Sequence, residues 1–249
     1  MRILLIRHGD PDYINDTVTE KGKREALLLA DRLSKENIDA IYCSPLGRAQ
    51  ATALPTAQKI GLEIQTLPWL REIEACYDLG TEVTSPWDIY PHIWTENPKV
   101  HEKEGWSTFP IYDGVPLREI LQTAENELDA LILKHGFRHT GRVFEILPGY
   151  EQSTETIALF CHMGLGNVLL AHLAGISTPL WWHSVFLPPT SVTTIYMEQH
   201  CPHTPVAIAH FAGIGDTSHL YAGGEPVSTS GLKNCASPIY PPVPKQKLS

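Results

Sequence analysis

The run Ile3-Leu4-Leu5-Ile6 has no polar residue to turn toward water on either side of a strand. A segment like this is stable only when both its faces are covered, as in an inner strand of a parallel sheet with helices on each side. It constrains the chain more than any other feature. Arg2 and Arg7 bracket it closely, and it is too short for the apolar region of a secretory leader. No stretch approaches the roughly 20 apolar residues of a membrane-spanning helix. A cytoplasmic location is expected.

The rest of the chain repeats the same theme. Arg2 to Ile6 reads as the first strand. Ala26, Leu27, Ala30 and Leu33 recur at helical spacing between Thr19 and Ser34, with Thr19 as N-cap. Ile38 to Cys43 is the next strand, Leu46 to Ile60 a helix, and Glu63 to Thr66 a third strand. This alternation predicts an α/β fold: a three-layer sandwich with a mostly parallel central sheet flanked by helices. The rhythm breaks between about residues 76 and 115, a segment with Trp87, Trp94, Trp106 and several prolines. It reads as an inserted loop and helical region whose tryptophans line a lid or pack ordinarily. Pro116 to His135 is an amphipathic helix with Leu117, Ile120, Leu121, Leu128, Leu131 and Ile132 on one side. Thr156 to Cys161 is a strand followed by a helix over Gly164 to Ala174, and Val192 to Met197 and Ala207 to Phe211 are later strands. Ser237 to Ser249 is a proline-rich, poorly ordered tail.

Composition narrows the partners. The chain has 249 residues, 43% hydrophobic and 19% charged, with a formal charge of −9. Non-specific attraction to nucleic acid or to an anionic membrane is therefore not expected. Phosphate can still bind if cations are concentrated at one place. The five cysteines (Cys43, Cys76, Cys161, Cys201 and Cys235) are odd in number and form no CxxC pair, consistent with free thiols.

Three strand ends carry such cations. Arg7-His8-Gly9 follows the first strand, and Ser44-Pro45-Leu46-Gly47-Arg48-Ala49 follows the second. His162-Met163-Gly164 follows the strand ending at Cys161. Ligand sites in parallel α/β sheets gather at the carboxyl ends of strands, so Arg7, His8, Arg48 and His162 are expected to converge. Arg48 would also lie near a helix start, whose dipole favours anions. Taken singly, these residues read equally well as a surface turn, a solvated helix arginine and a satisfied core histidine.

The ordered set resembles the histidine phosphatase superfamily, also called the phosphoglycerate-mutase-like family, over positions 2 to about 175. Thr19-Glu20-Lys21-Gly22 looks like the family's first helix start, and Gly215-Asp216-Thr217-Ser218-His219-Leu220 like its C-terminal segment. The resemblance implies one α/β domain over 1–236, with the 76–115 insertion shaping the mouth of an active site. It implies a phosphatase acting on small phosphate monoesters, with His8 as the nucleophile that forms a phosphohistidine. Arg7, Arg48 and His162 would hold the phosphoryl oxygens. Glu72 or Glu74, in Trp69-Leu70-Arg71-Glu72-Ile73-Glu74, would be the proton donor, with Glu72 the better aligned. No metal or other cofactor is expected in that chemistry.

The chain departs from the family pattern at Asp10-Pro11-Asp12-Tyr13, at Met163, and in lacking an arginine pair in 77–115. The last point favours a phosphatase over a mutase-type phosphotransferase, which remains the alternative beside a catalytically weak phospho-ligand binder. His200-Cys201-Pro202-His203 holds metal-capable groups, but its spacing disfavours a convergent tetrahedral site. His210 and His219 read as core or rim residues. The aromatic insertion also offers a surface for a homodimer.

Overall fold

The computed structural model describes residues 1–80 and 83–233. The domain limit at 236 and the proline-rich tail lie outside the described residues. An eight-stranded sheet organises the chain. Its first half contains β1 (Arg2–Arg7), β2 (Ala40–Cys43), β3 (Ile64–Thr66) and the later strand Thr156–Cys161. The spatial order is β3, β2, Thr156–Cys161, β1, and all three of these pairings are parallel.

β1 is covered on both faces, as its composition demands. Leu4 and Ile6 pack with Leu29, Leu33, Ala49, Ala53 and Ala57, from the helices α1 (Glu20–Leu33) and α2 (Gly47–Ile60). Ile3 and Leu5 face the other way, toward Leu121, Leu128, Leu165 and Val168. Those residues come from α3 (Leu117–Lys134) and from the helix Met163–Ala174. The apolar stripe of α1 is Ala26, Leu29, Ala30 and Leu33, a strict i, i+3, i+4, i+7 pattern. Leu27, expected on that stripe, instead faces solvent at 59% exposure. Thr19 caps α1 as predicted, its side chain accepting from the Gly22 N–H.

The sheet continues past β1 with antiparallel strands, two of which the sequence pattern does not reveal. These are β4 (Phe137–His139) and β5 (Phe144–Ile146), only three residues each. The strand Thr156–Cys161 is β6, followed by α4 (Met163–Ala174) and α5 (Thr178–Ser184). β7 (Val192–Glu198) pairs antiparallel with both β1 and β8 (Val206–Asp216), and β8 pairs with β5. β8 runs five residues beyond its predicted end at Phe211 and alternates in burial along much of its length, as a one-sided strand should.

The described part of the insertion is folded onto the body of the protein. Trp106 is completely buried and packs edge-to-face against Tyr112 and Trp182. Trp87 meets Trp182 edge-on, and Trp94 stacks flat on His183, both partners on α5. No helix among the described residues is long and apolar enough to cross a membrane.

Candidate active site

Strand register brings the expected residues together. Arg7 lies opposite Cys161 in the parallel β1–β6 pair, so His8 and His162 leave neighbouring strands side by side. Their ring centroids are 5.2 Å apart. β2 flanks β6 on its other side, and Ser44 at its end bonds His162 Nε2 at 2.7 Å. Arg7, His8, Ser44 and His162 are all essentially buried.

His8 has a defined tautomer. Its Nδ1 lies 2.8 Å from the Gly9 carbonyl oxygen, which can only accept, so Nδ1 carries the proton. Nε2, across the ring, keeps its lone pair. Burial, together with the charges of Arg7 and Arg48, holds the His8 pKa well below the ordinary imidazole value, against the opposing Gly9 bond. His162 is depressed in the same way, by burial first and then by His8 and the arginines. These depressed values favour the neutral form of both rings, which on His8 leaves the Nε2 lone pair free.

The arginines are set by contacts that sequence reasoning missed. Arg7 Nη1 donates to the Leu187 carbonyl at 2.6 Å and approaches Met163 Sδ at 3.7 Å. Met163, a departure from the family pattern, thus packs directly on Arg7. Arg48 Nη1 donates to Asp16 Oδ1 at 2.7 Å, and Asp16 Oδ2 accepts from the Gly47 N–H at 2.7 Å. A Cβ on Gly47 would sit 2.1 Å from the Asp16 carbonyl oxygen, so only glycine lets that loop reach the start of α2. Gly22 serves the same purpose for the Asp10 loop, where a Cβ would lie 2.4 Å from the Asp10 oxygen. Thr190 is another missed residue. Its φ is +57°, unusual for a β-branched side chain, and its N–H reaches both the Arg7 and His8 carbonyls at 3.1 and 3.2 Å. Sequence spacing carries no signal for Asp16 or Thr190, because each acts across a loop.

Glu72 and Glu74 occupy different surroundings. Glu74 is exposed and pairs with Arg71 at 2.6 Å. Glu72 accepts three backbone N–H bonds, from Leu165 at 2.8 Å and from Gly164 and Ile73 at 3.1 Å. Two of these N–H groups belong to the first turn of α4, where a carboxylate is favoured. Burial nonetheless outweighs those bonds and the Arg7 charge, and the Glu72 pKa is raised. Glu72 also lines a cavity of about 410 Å³ with Trp69, Arg71 and Leu165.

The arrangement suits a small dianion. Arg7 Nε, Arg48 Nε and His162 Nδ1 are buried with no hydrogen-bond partner among the described residues. Guanidinium groups and a neutral imidazole N–H are donors that phosphate oxygens accept.

Comparison with known proteins bears on the family and the fold. A profile describing the histidine phosphatase superfamily (branch 1) matches residues 3–206. Phosphoserine phosphatase 1 of Hydrogenobacter thermophilus is 32% identical over 128 residues, which is 46% of this chain and only 61% of that protein. Among solved structures, a mutant phosphoserine phosphatase from Entamoeba histolytica in complex with phosphoserine superposes with a TM-score of 0.59 at 21% identity. That match covers 88% of this chain and 98% of the other. A mycobacterial glucosyl-3-phosphoglycerate phosphatase in complex with inorganic phosphate gives 0.60 at 18% identity, with the same coverage. At such identities these structures speak to the fold.

Proposed function

The chain belongs to the histidine phosphatase superfamily, and on that premise we propose that it hydrolyses small phosphate monoesters through a phosphohistidine on His8. The observation that carries the reading is the His8 tautomer: a neutral ring with Nδ1 tied to Gly9 and a free Nε2, among two arginines and a second neutral histidine. Arg7, Arg48 and His162 hold the non-bridging oxygens and stabilise the charge of the transition state. The Nε2 lone pair attacks phosphorus, the ester P–O bond breaks, and Glu72 gives its proton to the departing oxygen. Water then attacks the phosphohistidine and Glu72 takes a proton from it. The N–P bond breaks, freeing inorganic phosphate and the original His8.

The raised Glu72 pKa supports its part in both halves of the cycle. The exposed Glu74, already paired with Arg71, has no such support. The absence of any arginine from residues 77–115 favours hydrolysis over mutase chemistry. Phosphoserine is the first substrate to try, since the curated relative bears that name. The test is alkaline-quench trapping with ester labelled in its phosphoryl group. The wild type should carry one alkali-stable, acid-labile phosphoryl group, and His8→Ala should carry none and lose turnover. Turnover retained by His8→Ala would end the proposal.

A further inference from the structure

Far from His8, toward the other end of α4, three side chains from three elements converge: Asp129 of α3, His139 of β4 and His172 of α4. His139 Nδ1 and His172 Nε2 lie 3.1 Å apart, and each is 2.9 Å from Asp129 Oδ1. The two imidazole planes stand at 88° with centroids 4.7 Å apart. Both rings are nearly buried, and the Asp129 side chain is 30% exposed. His162 and His172 are about 15 Å apart at 1.5 Å rise per residue, so this cluster is separate from the phosphoryl site.

Hydrogen bonding alone explains the triangle poorly. Both nitrogens face Asp129 Oδ1, subtending about 65° there, and only His139 Nδ1 also reaches Oδ2, at 3.2 Å, so two N–H donors 3.1 Å apart would be crowded against one carboxylate. A cation resolves the crowding. For a triangle of these edges, points about 2.0–2.1 Å from every corner lie about 1 Å off its plane, and these are zinc bond lengths to nitrogen and oxygen. The surroundings also favour the tautomer a metal requires. His172 Nδ1 is buried without a hydrogen-bond partner among the described residues and faces Glu125 Oε2 at 3.9 Å. Glu125 is itself fixed by Arg118 at 3.1 and 2.9 Å. A proton on Nδ1, drawn by that carboxylate, leaves Nε2 as a lone-pair ligand backed by a second group. The His139 ring is held by stacking on Phe144 at 4.6 Å.

We propose that Asp129, His139 and His172 bind one divalent transition cation of the zinc class, with water as fourth ligand. Two imidazoles and one carboxylate select zinc-like ions over magnesium or calcium. The ion would tie the edge strand β4, which pairs only with β5, to α3 and α4. Its role is structural, and it stands independently of the phosphatase reading.

The test uses the full chain, stripped with a chelator and titrated with Zn²⁺ by calorimetry and with Co²⁺ by visible absorption. The expected result is one saturable equivalent, an intense tetrahedral cobalt spectrum, and a Tm raised by zinc. Asp129→Asn and His172→Gln should each weaken binding at least tenfold. A second histidine–carboxylate group, Glu198, His200 and His210, is exposed. His210→Ala, which disrupts it, should leave the spectrum and the affinity intact. The cobalt spectrum of His210→Ala keeps the question decidable even if His172→Gln fails to fold. The proposal is overturned by no saturable binding at micromolar zinc, by a weak octahedral cobalt spectrum, or by binding that disappears with His210→Ala and survives Asp129→Asn.

Discussion

Glu72→Gln separates a proton donor from a structural carboxylate. The substitution keeps the shape and removes the exchangeable proton. If Glu72 protonates the leaving oxygen, phosphorylation of His8 by an alkyl ester such as phosphoserine should slow by about 10²- to 10⁴-fold. p-Nitrophenolate departs without a proton, so its release in the first turnover should be nearly unaffected. The second half-reaction, which needs the same group as a base, should stall. Rapid-quench kinetics should therefore show a burst of one nitrophenol per enzyme followed by slow turnover, and no burst with phosphoserine. The structural cost is calculable from the same contacts. The new amide oxygen can still accept from Leu165 and Ile73, but its NH₂ group must face the Gly164 N–H, now 3.1 Å from Oε2. One donor against another costs about 1–3 kcal/mol. In a chain of this size each kcal/mol lowers Tm by roughly 2–4 °C. Assays well below that Tm isolate the chemistry. Equal losses on both esters, with no burst, would refute the assignment and leave Glu72 as a cap for α4.

Three further outcomes follow from the geometry. Asp16→Asn sets an amide against the Arg48 guanidinium and should lower kcat/KM by roughly tenfold or less with little change in Tm, because the pair is partly exposed; unchanged kinetics would remove Asp16 from the site. Stability should fall as pH drops from 6.5 toward 4. His183 and His219 are held down to about 4 by burial, and His8 and His162 are also depressed. In that window the unfolded chain binds protons that the native state refuses, at up to about 1.4 kcal/mol per pH unit for each histidine; equal urea midpoints at pH 7.5 and 5 would contradict it. Trp106→Ala should cost about 3–5 kcal/mol, because the side chain is wholly enclosed; a loss below 1 kcal/mol would mean the insertion is not part of the core.

The parallel core is legible in the sequence because its strands must be apolar throughout and its helices must alternate with them. Thr19, Arg7, His8, Arg48 and His162 follow from that frame, since strand ends in such sheets converge. β4 and β5 escape because three residues are too few to display a period, and β5 finds its other partner in the distant β8. Leu27 looks like part of the buried stripe of α1 because an apolar residue beside Ala26 fits a coarse spacing as well as Leu29 does. Asp16 and Thr190 act across loops that no local pattern encodes. Glu72 is separable from Glu74 only by alignment in the sequence; in space its three N–H partners distinguish it.

The pairing of β1 with β6 has a kinetic corollary. Arg7 meets Cys161 only after almost the whole intervening chain has been brought round, the costliest loop closure in the parallel half of the sheet. That closure cost predicts that His8 and His162 come together late in folding. Recovery of enzymatic turnover during refolding should lag behind the recovery of helical signal, which makes activity a reporter of a late long-range pairing.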